Sequence, residues 1–329
     1  MQPNINSTIQ LISRGHNMSL PTFIGIGAPK SGSTSLYHYL REHPDVFMSP
    51  KKATNFFAWA GTPPTFCGPG DDDRENRGTV LTLEEYQSIF DAAGDAKARG
   101  EVSPVYFHIH GTAERIKQTI PDVKLIVLLR NPVEVAYSRF LHARRDDCEP
   151  FESFEQAIKA EEERRRLGWG PLFWYIEGGF YYKHLRPYFE LFDQSQIKIK
   201  LYEEFKTDTI GVMQDIYKFI GANPNFTPKI TKRYNESTIY THTYLQKFLL
   251  LNPIRTIGRS IIPPGIRITI RNALLQKKAR KPSLHPRTRR RLIEVYRDDI
   301  RQLSDLIERD LSAWYDEPSS FRSHRRSEA

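Results

Sequence analysis

The chain has 329 residues, of which 39% are hydrophobic, and it carries a formal net charge of +9 at pH 7. This length suffices for one α/β domain with a sizeable core, while the two cysteines, Cys67 and Cys148, exclude a disulfide framework. No apolar run approaches the roughly 20 residues of a membrane-spanning helix, and residues 1–22 lack the apolar core of a signal peptide. The composition therefore predicts a cytoplasmic protein without a transmembrane segment.

A strand, a loop and a helix are predicted in succession near the start of the chain. Residues 22–27 form an apolar strand, and a helix is expected over residues 35–41. The N–H groups of the loop and of the helix N-terminus would converge on one point, where the helix dipole favours an anion. Gly27 and Gly32 have the spacing of a Walker A loop, but Ser33 stands where that motif requires lysine. The pattern favours phosphate binding and excludes a kinase or ATPase of that type.

The lysine of this segment lies inside the loop, because residues 29–36 read Pro-Lys-Ser-Gly-Ser-Thr-Ser-Leu. This motif resembles the 5′-phosphosulfate loop of the sulfotransferase family, whose sulfuryl donor is 3′-phosphoadenosine-5′-phosphosulfate (PAPS). The resemblance implies that Lys30 stabilises the charge of the leaving group. It also implies that the donor is bound by Lys30, Ser31, Gly32, Ser33, Thr34 and Ser35.

The next segment departs from the pattern of the family. Many relatives read Lys-Glu-Pro-His-Phe-Phe, and the glutamate there is a candidate for the base that takes the acceptor's proton. Residues 52–57 of this chain read Lys-Ala-Thr-Asn-Phe-Phe, so that Ala53 replaces the carboxylate and Asn55 replaces the histidine. The resemblance therefore does not supply a base at this position.

A second phosphate-binding element is predicted after another buried strand. Residues 124–129 form a continuous apolar run, as expected for a parallel strand that is buried on both faces. Arg130 follows, and a helix is predicted from Val133 to Arg145. The spacing of Arg130 and Ser138 resembles the family's 3′-phosphate-binding element, and a guanidinium fork and a hydroxyl are both suited to phosphate.

Two side chains are candidates for the missing base. His142 follows Ser138 by one helical turn and therefore shares its helix face, and it matches a histidine of the family. Glu101 ends a predicted strand over residues 98–102, where pairing with Arg99 is the alternative to a catalytic role. The sequence favours His142 over Glu101 and leaves both open.

The rest of the chain alternates irregular segments with helical ones, of which one is predicted over residues 151–167. Residues 60–79 are rich in Gly, Pro and Asp and are expected to form a surface loop, while the aromatic run 169–175 belongs either to the core or to the wall of an acceptor cleft. Ten basic and three acidic residues lie between Lys277 and Arg301. An apolar stripe from Pro286 to Trp314 predicts one long amphipathic helix with a basic outer face, which needs no nucleic-acid partner.

Strands that alternate with helices predict an α/β protein with three layers, α/β/α, around a central parallel sheet and a P-loop-like phosphosulfate loop. One sulfotransferase domain is expected over residues 21–316, with a helical extension from residue 246, a flexible N-terminus over 1–20 and a disordered tail over 317–329. The resemblance is closest to soluble bacterial sulfotransferases and to the sulfotransferase domains of heparan-sulfate-modifying enzymes.

The predicted function is transfer of a sulfuryl group from PAPS, without a metal, to a hydroxyl or amine of a small-molecule, carbohydrate or lipid acceptor. The alternative is a non-catalytic nucleotide- or anion-binding protein on the same fold, which the replacement at Ala53 favours. The identity of the acceptor and the oligomeric state stay open.

Overall fold

The structure is a computed structural model that describes residues 20–230 and 283–315. These residues fall into two compact units. Within the described ranges, the first unit comprises residues 20–66, 72–130 and 182–230, and the second comprises residues 67–71, 131–181 and 283–315. The predicted N-terminal segment up to residue 19 and the tail lie outside the described residues, and the single domain stays a prediction.

Five parallel strands form a sheet at the centre of the first unit. They are β1 (Phe23–Gly27), β2 (Val46–Met48), β3 (Ala98–Val102), β4 (Lys124–Leu129) and β5 (Ile197–Leu201). Their order in the sheet is β2-β3-β1-β4-β5. The loops after β1, β3 and β4 therefore leave the middle of the sheet at one edge, where the carboxyl ends of parallel strands meet and where such sheets bind ligands.

Burial on both faces explains why β4 reads as a continuous apolar run. Residues 125–129 are all 0% exposed. Ile126 and Leu128 belong to a core that also contains side chains of residues 36–40 and 212–220, while Leu125, Val127 and Leu129 point to the opposite face because side chains alternate along a strand. The α/β class with a central parallel sheet is confirmed.

Helices flank the strands in chain order. In the first unit they are α1 (Ser33–Glu42), α2 (Phe56–Trp59), α3 (Leu83–Ser88), α4 (Thr112–Thr119), α9 (Tyr202–Thr207) and α10 (Thr209–Ile220). In the second unit they are α5 (Pro132–Arg145), α6 (Phe154–Lys159), α7 (Glu161–Arg166) and α11 (Pro286–Leu306). Helix α8 (Tyr181–Leu191) begins at the last residue of a second-unit segment and continues in the first unit. None of the described helices is long and apolar enough to cross a membrane, and the cytoplasmic location stays a prediction.

Three differences from the predicted elements concern the strands and helices. Strand β2 is absent from the prediction, because three residues are too few to show a pattern of alternation. One helix expected over residues 151–167 is instead the pair α6 and α7. The last amphipathic helix ends at Leu306, and a short turn over Ser312–Trp314 follows it.

The second unit is held together by a buried ion pair and by the stripe of α11. Arg164 donates two hydrogen bonds to the Glu149 carboxylate, at 2.7 and 2.8 Å, and its guanidinium stacks on the ring of Trp169 at 4.5 Å. In α11, the side chains of Leu292, Tyr296, Ile300 and Leu303 are at most 1% exposed. This stripe is the one that the sequence predicts.

Gly100 in β3 provides a test of how closely the sheet is packed against its neighbours. A Cβ atom at Gly100 would lie 2.3 Å from the ring of Phe23. We expect Gly100→Ala to lower the free energy of unfolding by roughly 1–3 kcal/mol, because the ring is enclosed and cannot move away freely. Urea unfolding measures the change. Gly78→Ala is the matched control: its nearest atom would lie at 3.4 Å, and equal losses in both variants would contradict the packing argument.

Candidate active site

The loop between β1 and α1 is shaped to present backbone N–H groups. Gly32 caps α1 with φ of 103°, a left-handed conformation that favours glycine. The N-cap residue makes no side-chain hydrogen bond to the first turn of α1, and that turn contains no acidic residue. The N-terminus of this ten-residue helix is thus available to an anion.

The lysine of the loop is held in an uncommon backbone conformation. Lys30 has φ of 66°, which costs of the order of 1 kcal/mol or more for a residue other than glycine. The loop is fixed to the sheet by the Ala28 N–H, which donates to the Leu128 carbonyl at 2.7 Å. The hydroxyl of the next residue, Ser31, is fully buried and has no hydrogen-bond partner among the described residues. An unsatisfied buried hydroxyl beside such a loop fits the binding of an oxyanion.

Arg130, at the end of β4, lies over the loop. Its guanidinium donates to the Lys30 carbonyl at 3.3 Å and stacks on the ring of Tyr202 at 4.6 Å. The ring restricts the guanidinium fork without neutralising its charge. The sequence predicts Arg130 as a site residue but does not predict Tyr202. The position of Tyr202, directly after β5 at the carboxyl edge of the sheet, was the signal that could have identified it.

Lys52 is a functional candidate that sequence reasoning missed. Its ammonium donates to the hydroxyl of Thr34, in the first turn of α1, at 2.9 Å. Burial lowers the pKa of Lys52. The pKa of His38 is also lowered, first by the burial of His38 and then by the positive charge of Lys52. Within residues 20–230 and 283–315 no carboxylate forms an ion pair with Lys52. A partly buried ammonium has lost part of its hydration, and a neutral hydroxyl does not neutralise its charge. It is therefore suited to bind an anion.

Glu101 is the centre of a buried hydroxyl cluster. It is 0% exposed, and its Oε2 accepts hydrogen bonds from Thr54 at 2.5 Å and from Ser103 at 2.7 Å. Its Oε1 accepts from Tyr86 at 2.9 Å and from Tyr106 at 2.8 Å. Burial, followed by the charge of Glu101, raises the pKa of both tyrosines well above the usual value. The phenols therefore stay protonated and continue to donate.

Ser138 and His142 lie one turn apart on α5, in the second unit. Ser138 is 1% exposed, and the His142 Nε2 lies 3.2 Å from the Asp146 Oδ2. Burial opposes the ionisation of Asp146, but hydrogen bonds from His142 and Arg145 outweigh it and keep the pKa of Asp146 well below its usual range. An ionised carboxylate beside an imidazole orients the ring and stabilises its protonated form. Their roles, like those of the other predicted site residues, stay predictions.

Comparison with known proteins identifies the family. The sequence model of the sulfotransferase domain matches residues 20–304, most of the chain. The chain belongs to the sulfotransferase family. A crystal structure of a sulfotransferase from Alicyclobacillus acidocaldarius is similar, with a TM-score of 0.72 and 31% sequence identity over 90% of this chain and 99% of that one. The predicted family is confirmed, and family and fold together indicate a transferase enzyme.

Two curated relatives show how far the likeness reaches. A membrane-associated sulfotransferase, kil1, from Dictyostelium discoideum is 32% identical over 49% of this chain and 31% of its own length. The heparan sulfate glucosamine 3-O-sulfotransferase 3A1 from Mus musculus is 28% identical over 68% of this chain and 51% of its own length. The match thus spans less than two thirds of either relative.

Proposed function

We propose that this chain transfers a sulfuryl group from PAPS to a hydroxyl or amine of an acceptor. The observation that carries the proposal is the loop after β1, where the uncapped N-terminus of α1, the buried Ser31 hydroxyl and the hydrogen bond of Lys52 to Thr34 occur together. These groups fit the 5′-phosphosulfate of the donor. Membership of the sulfotransferase family supports the same reading.

In the proposed reaction the acceptor oxygen or nitrogen attacks the sulfur, the S–O bond to the 5′-phosphate breaks, and 3′-phosphoadenosine-5′-phosphate (PAP) leaves. Lys30 and the N–H groups of residues 32–35 stabilise the charge that develops on the leaving phosphate. Arg130 and Ser138 bind the 3′-phosphate, a role that for Ser138 rests on sequence spacing and family resemblance. No metal is part of this proposal, because these cations and dipoles supply the charge that the leaving group needs.

Proton removal is assigned to His142. The Asp146 carboxylate beside it supports this assignment, because it stabilises the protonated ring. The Glu101 carboxylate already accepts four hydroxyl hydrogen bonds, which disfavours it as the base. The chemistry admits carbohydrate, lipid and small-molecule acceptors.

The function is tested by incubating the protein with PAPS and a mixed panel of alcohols, phenols, amines and saccharides, and by detecting an added sulfate by mass spectrometry. Formation of PAP together with a sulfated acceptor is the expected result. PAP binding without turnover of any acceptor would favour the non-catalytic nucleotide-binding alternative. Binding of neither PAP nor PAPS would contradict both.

Removal of the loop cation should affect turnover more than donor binding. We expect Lys30→Ala to lower kcat by roughly 100-fold or more, because charge appears on the leaving group only as the S–O bond breaks. Steady-state kinetics and calorimetry with PAP measure the two effects. Lys97→Ala, at an exposed lysine paired with Asp45, is the control and should change neither. Near-normal turnover combined with lost binding would make Lys30 only an anchor.

Recognition of the 3′-phosphate can be separated from recognition of the rest of the donor. We expect Arg130→Ala to weaken PAP binding by roughly 2–4 kcal/mol, because a charge-assisted phosphate contact is lost. Adenosine-5′-phosphosulfate lacks the 3′-phosphate, so its affinity should change little. Calorimetry with both ligands measures the difference, and equal weakening of the two would count against the assignment.

The base is identified by a pH profile. If His142 takes the proton, kcat/KM for an alcohol acceptor falls on the acid side in a titration typical of an imidazole, whose free pKa is about 6.5. His142→Gln should remove that limb and cost roughly 10²–10⁴-fold. A phenol acceptor should lose much less, because its proton leaves more easily. If His142→Gln keeps both the wild-type rate and the acid limb of the pH profile, while Glu101→Gln loses activity, the base is Glu101.

A further inference from the structure

The segment that follows β2 links the buried cluster around Glu101 to the phosphosulfate loop. Thr54 donates to the Glu101 carboxylate at 2.5 Å, and the Asn55 N–H donates to the Ser103 hydroxyl at 3.1 Å. Two residues before Thr54, the Lys52 ammonium donates to the Thr34 hydroxyl. One short stretch of backbone thus connects a fully buried carboxylate to a cation at the N-terminus of α1.

The two oxygens of Glu101 have different neighbours. Oε2 binds the hydroxyls of Thr54 and Ser103, both of which hold the segment that carries Lys52. Oε1 binds the phenols of Tyr86 and Tyr106. The Tyr106 hydroxyl also contacts the segment, since it lies 3.2 Å from the Thr54 hydroxyl and accepts from the Phe57 N–H at 3.2 Å. The Tyr86 hydroxyl bonds to Glu101 alone among the described residues, so this contact can be removed independently of the segment.

The four hydroxyl donors match the capacity of the carboxylate. An ionised carboxyl group has about four lone-pair sites, and Glu101 accepts four hydrogen bonds with no exposed surface. A proton acceptor must come within hydrogen-bond reach of the acceptor's hydroxyl. Within this cluster Glu101 has no lone pair left to accept that proton and no exposed surface through which the acceptor could approach.

Lys52 has the opposite character. Its ammonium has three donors, and the hydrogen bond to Thr34 uses one of them. That contact lies in the first turn of α1, where the N–H groups and the helix dipole attract the same anion. The side chain is long and unbranched, so its place beside Thr34 depends on the backbone that carries it.

We propose that Glu101 is a positioning residue and not the base: through Thr54 it holds Lys52 against Thr34 as a second cation of the phosphosulfate loop. This inference rests on the proposed function for the identity of the anion. The placement of Lys52 by the cluster does not depend on that identity. The two can therefore be tested separately.

The first test is a double-mutant cycle on PAP affinity, measured by calorimetry on the full chain. Lys52→Met should weaken PAP binding roughly 10- to 100-fold, because a charge-assisted contact is lost. Thr54→Val should weaken PAP binding by several-fold, whereas Thr54→Ser, which keeps the hydroxyl, should bind PAP as the wild type does. In the Lys52→Met background, Thr54→Val should add nothing, because its effect is transmitted through Lys52. Losses that multiply in the double variant would overturn the proposal.

Tyr86→Phe is the matched control. It removes a hydroxyl from the same carboxylate but on Oε1, so the protein loses stability while PAP affinity stays within about twofold of the wild-type value. A loss of affinity equal to that of Thr54→Val would mean that the cluster acts through general stability alone.

The second test needs no donor. Acetic anhydride labels lysines according to their exposure, and mass spectrometry reports the rate at each position, with the exposed Lys51 as internal reference. The labelling of Lys52 should rise several-fold in Thr54→Val and stay unchanged in Tyr86→Phe. An unchanged rate in Thr54→Val would refute the positioning role. A wild-type protein that fails to bind PAP but shows the rise would refute only the proposed anion.

Discussion

The fully buried carboxylate of Glu101 sets a constraint on everything around it. A charge without access to water has to be stabilised by hydrogen bonds or by a counter-ion. Here four hydroxyls from three segments of the chain provide that stabilisation, and the ammonium of Lys52 bonds to Thr34 instead. Among residues 20–230 and 283–315 no cation pairs with this carboxylate, so it does not neutralise the Lys52 ammonium beside the loop.

Neutral groups contact two of the cations beside the loop. Lys52 is held by a hydroxyl, and Arg130 stacks on the ring of Tyr202 and donates to a backbone carbonyl. Arg164 in the second unit is different, since both ends of its fork bind the Glu149 carboxylate. A guanidinium paired in this way stabilises the fold. The Lys52 ammonium forms no ion pair with a carboxylate in the described part of the chain, so its charge is available for the proposed ligand.

The sequence predicted those parts of the fold that depend on local patterns. Strand β4 is recognisable because both of its faces are buried, and the loop between β1 and α1 because glycine, lysine and hydroxyl residues occur at fixed spacing. The break between α6 and α7 could not be predicted, because residues 151–167 carry no Pro or internal Gly to mark it. The seven residues of the turn after β2, from Ser49 to Asn55, likewise show no regular pattern.

The features of the candidate site that could not be predicted from the sequence depend on tertiary contacts. Arg99 was the alternative partner of Glu101, since residues two apart in a strand lie on the same face, but hydroxyls at residues 54, 86, 103 and 106 bind the carboxylate instead. Lys52 was passed over because its contact with Thr34 exists only once β2 has placed the following turn beside α1. Such relations across 18 to 47 residues have no signature in a single sequence.

The replacement of the family's glutamate by Ala53 changes the electrostatics as well as the proton transfer. Ala53 is adjacent to Lys52 and has φ of 60°, with its N–H bound to the Val102 carbonyl at 3.1 Å. A carboxylate at this position would carry negative charge next to the Lys52 backbone and would reduce the attraction of the loop for a polyanionic donor. A methyl group leaves that attraction intact. In the proposed reaction Ala53 therefore favours donor binding and does not help to activate the acceptor, so that proton removal falls to another residue or to the acidity of the acceptor itself.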